Sequence, residues 1–191
     1  MELLEKQILE KGKVLPGNVL KVGSFLNQQL DVKLLNELGK ELYKHYHNCE
    51  VTKILTVEAS GIALSCITAQ FFNCNVVFAK KTKTANMDGA NYSAECFSYT
   101  HQKLNNLVIS KEYLTKDDKV LIVDDFMAHG EAANACIDLV RQAGATLVGV
   151  GIAIEKGFQG GGDKLRDKGI DVCSLAIIDS MDDTSLVFRK Q

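Results

Sequence analysis

The chain has 191 residues, 46% of them hydrophobic and only one a proline, which predicts one well-packed domain and excludes a disordered or low-complexity protein. Its formal net charge of −2 gives no basic surface for a nucleic-acid partner, and no apolar run reaches the length of a membrane span or of an uninterrupted signal peptide. The six cysteines show no C-x-x-C spacing and several lie in apolar runs, so we expect reduced, buried thiols in a cytoplasmic protein rather than disulfides.

The N-terminal part of the chain predicts two amphipathic helices joined by a short extended segment. Leu4 and Ile8 indicate a helix that ends near Gly12, and residues 14–30 alternate loosely between apolar and polar side chains. Asp31 is a typical N-cap for the second helix, because its side chain can accept a hydrogen bond from an N–H group of the first turn. The apolar stripe of this helix consists of Leu34, Leu35, Leu38, Leu42 and Tyr46.

A predicted buried strand at residues 53–57 is followed by a turn of small residues, 58–61 (EASG), which leads into a helix towards Phe72. A strand-to-helix turn of this kind presents backbone N–H groups, and here the Ser60 hydroxyl, at the carboxyl edge of a sheet. A phosphate group can bind to such donors. The alternative is a simple tight turn without a ligand.

A polar segment, residues 80–100, follows the next predicted strand at residues 76–79. It has three lysines near its start, and a strand-like alternation returns near residue 92. A long basic segment beside a phosphate site predicts a mobile lid. A β-hairpin arm is the alternative, and the two can hold together.

The most informative stretch is residues 120–132 (VLIVDDFMAHGEA). Its first four residues predict a strand buried in a parallel sheet, Asp124 and Asp125 are expected to close that strand, and Gly130 opens a helix that reaches Gly144. Two carboxylates can accept hydrogen bonds from sugar hydroxyls or meet a hard cation, while the helix N-terminus binds a phosphate. Ligands of open α/β sheets bind at this carboxyl edge, so we expect the functional site here.

Three other interpretations of the acid pair compete with a ligand site. The acids could simply cap the following helix, and this alternative stays open. A phosphorylation receiver domain also has an acid pair after its first strand, but 66 residues (191 minus 125) remain, where four further strand–helix units need on the order of 100. A Walker-B strand would need a G-x-x-x-x-G-K-[ST] loop upstream, and the sequence has none.

The C-terminal part of the chain continues the alternation of strands and helices. Residues 145–154 predict another buried strand, which ends at Glu155 and Lys156, on the same sheet edge as the acid pair if the strands are parallel. The three glycines at 160–162 are interpreted as a flexible turn. The remaining predicted elements are a helix at 163–168 and strands at 172–178 and 186–188. This order predicts an α/β domain with a largely parallel sheet.

Five segments of the sequence together resemble the type I phosphoribosyltransferases. LKVGSFLNQQL, TVEASGIA, VVFAKKTKT, the 120–132 stretch and GIAIEKGFQGG occur in the same order and at similar spacings in the xanthine phosphoribosyltransferases of bacteria, and they span most of the chain. The wider family has Thr and Gly-Gly-Thr-like residues where this chain has His129, Glu131 and Ala132. The xanthine enzymes also lack that threonine pattern, although Asn is usual there at the position of His129.

The resemblance implies a type I phosphoribosyltransferase fold of the α/β class, with helices flanking a mostly parallel central sheet. It implies a single domain over residues 1–191, with a small N-terminal hood contributed mainly by residues 1–30, and a flexible lid loop. The implied activity is purine salvage, in which xanthine and phosphoribosyl diphosphate give xanthosine 5′-monophosphate and pyrophosphate. Mg²⁺ is expected with the diphosphate, without a metal site made by protein side chains alone, and the family members are homodimers.

The resemblance also implies roles for individual residues, with Asp124 and Asp125 as the catalytic pair near the ribose hydroxyls. The residues expected to bind phosphoribosyl diphosphate are Ala128, His129, Gly130, Glu131, Ala132, Ser60 and Gly61, and those expected to bind xanthine are Leu20, Asn27 and Lys156. Two alternatives remain: a ligand-sensing regulator that kept the fold without the activity, and an enzyme for adenine, guanine or hypoxanthine. A regulator would normally carry a nucleic-acid-binding region, which the sequence does not display.

Overall fold

The computed structural model of the chain describes residues 1–81, 89–98, 103–182 and 185–190. Within these residues the helices and strands alternate along most of the chain. They are α1 (Glu2–Lys11), β1 (Lys13–Leu15), β2 (Val19–Lys21), α2 (Val32–Tyr46), β3 (Lys53–Val57), α3 (Gly61–Phe72), β4 (Asn75–Ala79), β5 (Asn91–Ser98), β6 (Lys103–Ser110), β7 (Lys119–Met127), α4 (Glu131–Ala143), β8 (Thr146–Lys156), α5 (Gly161–Asp167), β9 (Val172–Met181) and β10 (Leu186–Phe188). A π-helical turn, Gly23–Asn27, lies between β2 and α2. Among the described residues no helix is both long enough and apolar enough to cross a membrane.

The central sheet has six strands in the spatial order β10-β9-β8-β7-β3-β4. All of its neighbouring strands are parallel except β10, which runs antiparallel to β9. The predicted α/β class with a mostly parallel sheet is therefore confirmed. Because β3, β7 and β8 run in the same direction side by side, the turns that follow them leave the sheet at one common edge, and this edge is where the candidate site lies.

Hydrophobic side chains cover both faces of the sheet. One face packs against α1, α2 and α3, and the buried stripe of α2 is the one that its periodicity predicts. Asp31 caps α2 as predicted, since its Oδ1 accepts a hydrogen bond from the Leu34 N–H at 3.1 Å. Phe25 and Leu26, from the π-helical turn, are buried in this same core. The first 30 residues are thus packed onto the sheet, while their role as a hood over a substrate stays a prediction.

Strand β7 extends beyond the point where the sequence predicts its end. Asp124 and Asp125 were expected to close the strand, but the parallel pairing with β8 continues through Asp124 opposite Ile152 and Met127 opposite Glu155. That prediction is wrong because polar side chains do not end the backbone pairing of a strand when its partner, here β8, continues beside it to Lys156. As a result, the two neighbouring acids lie inside a strand and their side chains point to opposite faces.

The described part of the predicted lid is a β-hairpin arm. Strands β5 and β6 pair antiparallel from Asn91 opposite Ser110 to the end of β5. The arm packs on the α4 face of the sheet, where Ala94 is buried and Gln142 of α4 exchanges two hydrogen bonds with the Ser93 backbone, at 2.8 and 3.3 Å. The hairpin interpretation is thus confirmed for residues 91–98. Residues 82–88 and 99–102 lie outside the described part of the chain, and lid closure stays a prediction.

All six cysteines are free thiols, but they are less buried than the sequence predicts. Only Cys136, on α4, is buried, whereas Cys49 and Cys66 are exposed. The prediction of generally buried thiols is wrong because short apolar runs around a cysteine do not say which side of a helix or strand faces the core. Cys66, for example, lies on the outward side of the apolar helix α3.

Candidate active site

A cleft of about 480 Å³ opens at the carboxyl edge of the sheet. Its walls come from the end of β3 and the turn after it, from the end of β7 and the turn into α4, and from the inner side of the β5–β6 arm. The lining residues include Thr56, Glu58, Ser60, Lys81, Cys96, Phe97, Asn105, Asp124, Phe126, Ala128, His129, Gly130, Glu131, Ala132 and Cys136. The structure thereby brings together the two turns and one of the two acids that the sequence singles out.

The turn after β3, residues 58–61, leads directly into the first turn of α3. Its Glu58–Ala59 peptide bond is cis. The Glu58 carboxylate accepts a hydrogen bond from the Lys81 N–H at 2.8 Å, which ties this turn to the start of the segment that follows β4. A Cβ on Gly61 would lie 2.2 Å from Thr56 Oγ1 and 2.5 Å from Asp124 Oδ1, so glycine is required where the helix passes over these side chains.

The turn after β7, residues 128–132, opens α4 at the other side of the cleft. Gly130 is the N-cap of α4 and has φ 88°, a left-handed conformation that favours glycine. Its carbonyl accepts two hydrogen bonds from Asn134, one from the backbone N–H and one from Nδ2, both at 2.8 Å. This bonding fixes the direction in which the first N–H groups of α4 point, and the N-terminus of a helix attracts anions.

The three glycines at 160–162 hold the second turn in place. Gly161 donates its N–H to the Ala128 carbonyl at 3.1 Å, and a Cβ on Gly161 would lie 2.4 Å from that oxygen and 2.6 Å from the Gly130 nitrogen. Gly161 and Gly162 are buried in the first turn of α5. The interpretation of these glycines as a flexible turn is therefore wrong. They allow two backbones to approach each other closely, and a contact between residues about 30 positions apart leaves no local signal in the sequence.

A buried ion pair anchors α5 behind this contact. The Glu155 carboxylate is fully buried and accepts two hydrogen bonds from the Arg166 guanidinium, at 3.0 and 2.7 Å, and a further one from the Ser174 hydroxyl. Arg166 also donates to Asp163 at 3.0 Å. Hydrogen bonding to Glu155 is the main cause that raises the pKa of Arg166. The two-pronged geometry fixes α5 relative to the end of β8.

Asp124 is the acid that faces the cleft. Its Oδ1 accepts a hydrogen bond from the Asp125 N–H at 2.9 Å. Burial and then the neighbouring charge of Asp125 raise the pKa of Asp124 well above its ordinary value, while the charge of Lys81 acts in the opposite direction. The Thr56 hydroxyl beside it is buried and has no hydrogen-bond partner among the described residues. Polar oxygen atoms therefore line the cleft between the two turns, where a polyhydroxylated ligand can bond to them.

Asp125 does not line the cleft, and its carboxylate is only 5% exposed. Its Oδ1 accepts a hydrogen bond from the Ser60 hydroxyl at 2.8 Å, and its Oδ2 accepts one from Asn27 Nδ2 at 3.0 Å. The two acids therefore have different surroundings. The expected contact of Asp125 with a ribose stays a prediction, whereas its link between the π-helical turn and the first phosphate-type turn is a feature of the structure.

The three residues expected to bind xanthine lie beside the cleft rather than in its wall. Leu20, the buried residue of β2, is 8% exposed, and Asn27 is bonded to Asp125. Lys156, at the end of β8, donates from Nζ to the Asn18 carbonyl at 2.8 Å and lies 5.9 Å from the centre of the Phe126 ring. Burial lowers the pKa of Lys156. The Phe126 ring lines the cleft, and through its contact with Lys156 it joins the base-site residues to the cleft.

Sequence reasoning missed several residues of the site. Phe126, Thr56 and Cys136 read as ordinary apolar or strand residues, yet all three line the cleft. Burial, followed by the charge of Asp124, raises the pKa of the Cys136 thiol, which keeps it protonated. The pair of Glu155 and Arg166 gave no signal either, because its members come from separate elements.

Comparisons with known proteins agree with this geometry. Residues 21–188 match the family model described as "Phosphoribosyl transferase domain". The chain is 54% identical over 189 residues to a protein from Clostridium novyi (strain NT), with 99% of this chain and 100% of the relative covered, and 53% identical over 190 residues to one from Ruminiclostridium cellulolyticum, with 100% of both covered. Both relatives are named xanthine phosphoribosyltransferase.

Solved structures share the fold. An adenine phosphoribosyltransferase from Thermoanaerobacter pseudethanolicus superposes with a TM-score of 0.66 at 26% identity, covering 77% of this chain and 81% of that one. An adenine phosphoribosyltransferase from Trypanosoma brucei, in complex with AMP, pyrophosphate and ribose-5-phosphate, gives a TM-score of 0.74 at 22% identity, covering 91% and 78%. The second likeness concerns the fold alone.

Proposed function

The chain belongs to the phosphoribosyl transferase family, and from that premise we propose that it transfers the 5-phosphoribosyl group from phosphoribosyl diphosphate to xanthine. The products are xanthosine 5′-monophosphate and pyrophosphate, and the biological role is purine salvage. Relatives more than 50% identical over nearly the whole chain carry the name of this activity.

The observation that carries the proposal is the arrangement of two backbone turns on either side of Asp124 in one cleft. Phosphoribosyl diphosphate has a 5′-phosphate at one end of its ribose and a diphosphate at the other. The turn 128–132, at the N-terminus of α4, suits the 5′-phosphate, and the turn 58–61, with its backbone N–H groups at the N-terminus of α3, suits the diphosphate. Asp124 lies between them at the position of the sugar, where its carboxylate can accept hydrogen bonds from ribose hydroxyls.

In the reaction the bond between C1 of the ribose and the diphosphate oxygen breaks, and a bond between C1 and a purine nitrogen forms. Pyrophosphate leaves with the electron pair of the broken bond, the purine nitrogen supplies the electron pair of the new bond, and its proton passes to water or to the departing pyrophosphate. Positive charge develops on the ribose as the diphosphate departs. The protein contributes chiefly by holding both substrates in line, and Asp124 bonds to the ribose hydroxyls beside that charge.

We propose that Mg²⁺ enters with the diphosphate. Mg²⁺ in proteins is usually held by one or two carboxylates together with substrate phosphates and water. Asp124 and Thr56 line the cleft together, and the Thr56 hydroxyl has no hydrogen-bond partner in the described part of the chain, so these two side chains provide oxygen donors of this kind. When bound, the ion supplies positive charge that stabilises the leaving pyrophosphate. Asp124 and the turn 58–61 would hold that end of the substrate in place.

For the base, we propose a site between the π-helical turn and the end of β8. Lys156 has three N–H donors, of which one is bonded to the Asn18 carbonyl, and the others can bind an electron-rich purine oxygen. Asn27 offers an amide to the 2-oxo group that distinguishes xanthine from hypoxanthine. Leu20 contributes the apolar floor, and the Phe126 ring joins this site to the ribose cleft.

We also propose a homodimer in the cytoplasm. Helix α3, GIALSCITAQFF, is apolar around most of its circumference, and Cys66 lies on its exposed side. A helix with an apolar outer side favours a partner subunit.

The proposed cytoplasmic location agrees with the six free thiols, which suit a reducing compartment.

The experiment is a pyrophosphate-release assay with purified protein, phosphoribosyl diphosphate and Mg²⁺, in which xanthine, guanine, hypoxanthine and adenine are offered separately. We expect the highest kcat/KM with xanthine. A clear preference for another base would keep the transferase activity and refute the base assignment. Folded protein that binds phosphoribosyl diphosphate but releases no pyrophosphate with any base would refute the enzyme and favour the ligand-sensing regulator.

A further inference from the structure

Asp125 connects two parts of the molecule that lie far apart in the sequence. Its Oδ2 accepts a hydrogen bond from Asn27 Nδ2, 98 positions away, at 3.0 Å, and its Oδ1 accepts one from the Ser60 hydroxyl at 2.8 Å. The Asp125 residue is only 5% exposed, and it does not line the cleft that Asp124 lines. Both oxygens of this carboxylate are therefore engaged by side chains of the protein.

The bond to Asp125 determines which way the Asn27 amide points. An ionised carboxylate is an acceptor only, so it attracts the NH₂ end of an amide and repels the carbonyl end. Asn27 lies at the end of the π-helical turn and is exposed, which would otherwise leave the amide able to rotate in solvent. A charge-assisted hydrogen bond is roughly twice as strong as one between neutral groups, so the carboxylate governs the orientation.

The orientation of this amide matters for the choice of purine. Xanthine carries an oxygen acceptor at position 2, guanine carries an amino donor there, and hypoxanthine carries neither. An amide that offers N–H at a fixed place favours the oxygen and rejects the amino group. The same amide turned by half a revolution would offer its oxygen and accept guanine instead.

We propose that Asp125 is a positioning residue for base selectivity, which holds the Asn27 amide so that its second N–H faces the 2-oxo group of xanthine. This inference rests on the proposed function, because it assigns the base site to Asn27. It gives Asp125 a role at the base, through Asn27, and leaves its expected contact with the ribose as a separate prediction.

The test compares the ratio of kcat/KM for xanthine to kcat/KM for guanine in a set of variants. Asp125→Ala removes the acceptor, and we expect the ratio to fall on the order of tenfold, as the loss of a directed hydrogen bond implies. Asp125→Asn keeps the shape of the side chain but replaces the acceptor-only carboxylate by an amide, which can present either its oxygen or its NH₂ to Asn27. We therefore expect the ratio to fall roughly threefold, less than in Asp125→Ala.

Two further variants separate selectivity from general damage. Ser60→Ala removes the other hydrogen bond of Asp125 and leaves Asn27 intact, so the activities with xanthine and guanine should fall together and the ratio should persist. The double variant Asp125→Ala with Asn27→Ala should have the same ratio as Asn27→Ala alone, because the carboxylate acts only through the amide.

An unchanged ratio in folded Asp125→Ala, measured beside a wild type that prefers xanthine, would overturn this inference and leave the proposed function standing. If Asp125→Ala does not fold, the Asp125→Asn variant decides, since a ratio equal to that of the wild type would contradict the inference. A wild type without preference for xanthine would overturn the proposed function and, with it, this assignment.

Discussion

The substitution Gly161→Ala is the sharpest perturbation of the phosphate turn that leaves every cleft side chain unchanged. Gly161 packs against the backbone of Ala128 and Gly130 and is not among the residues that line the cleft. A methyl group there acts on the turn only by displacing it. Loss of activity in this variant therefore measures how strongly catalysis depends on the position of the turn 128–132.

The displacement follows from the distances. The added Cβ would lie 2.4 Å from the Ala128 oxygen, and real Cβ atoms do not approach other atoms closer than 3.0 Å, so α5 and the turn must separate by at least 0.6 Å (3.0 minus 2.4). Overpacking of this kind costs about 1–3 kcal/mol in stability. Because a misplacement of about 1 Å can lower catalysis 100-fold, we expect kcat/KM for phosphoribosyl diphosphate to fall roughly 10- to 100-fold.

The assay is pyrophosphate release at varied phosphoribosyl diphosphate and saturating xanthine, with thermal melting of each variant. Gly162→Ala is the matched control, because its Cβ would meet the Glu155 carboxylate at 2.1 Å and strain the same helix without pressing on the turn. We expect both variants to lose several degrees of Tm, about 2–10 °C, and only Gly161→Ala to raise KM for phosphoribosyl diphosphate strongly. Wild-type kinetics in Gly161→Ala, or equal kinetic losses in both variants, would refute the reasoning.

Three further predictions concern charged groups. Asp124→Asn should lower kcat at least about 100-fold. It should also raise Tm at neutral pH, because the raised pKa of Asp124 means that folding favours its protonated form and that stability falls as pH rises above the unfolded-state pKa. This gain in Tm should shrink as pH is lowered. Arg166→Ala should cost about 3–5 kcal/mol in urea unfolding, because it leaves the buried Glu155 carboxylate unpaired. Lys156→Met should raise KM for xanthine and leave KM for phosphoribosyl diphosphate unchanged, as measured by initial rates.

Each of these predictions has an outcome that contradicts it. Asp124→Asn with normal turnover would remove the acid from the sugar site, and a Tm below that of the wild type at neutral pH would contradict the direction of its pKa shift. Arg166→Ala as stable as the exposed control Arg141→Ala, whose ion pair with Asp138 lies at the surface, would refute the importance of the buried pair. Equal changes of both KM values in Lys156→Met would place that lysine outside the base site.

The elements that the sequence predicts well are those whose signals are local. The α2 stripe and its Asp31 cap follow from helical periodicity and from one side chain three residues before its partner. The strand at Lys53–Val57 is a short apolar run closed by small residues. Local signals also locate both phosphate-type turns, because strand, turn and helix are contiguous in the chain.

The features that sequence reasoning missed depend on contacts between distant residues. Asp125 bonds to Asn27 across 98 positions, and its separation from Asp124 follows from the continuation of β7, which the partner strand β8 decides. The approach of Gly161 to Ala128 has the same origin. The sequence shows that these residues are present, but the contacts between them form only in the folded chain.

A single competition experiment tests the central claim most directly. The wild-type protein receives Mg²⁺, a limiting amount of phosphoribosyl diphosphate and an equimolar mixture of xanthine, guanine, hypoxanthine and adenine, and the nucleotides formed are identified by mass. Because competing substrates divide according to kcat/KM, the product distribution reports selectivity in one reaction. We predict that xanthosine 5′-monophosphate dominates and that Asp124→Asn forms almost none. Dominance of another nucleotide, or undiminished synthesis by Asp124→Asn, would contradict the assignment of this cleft.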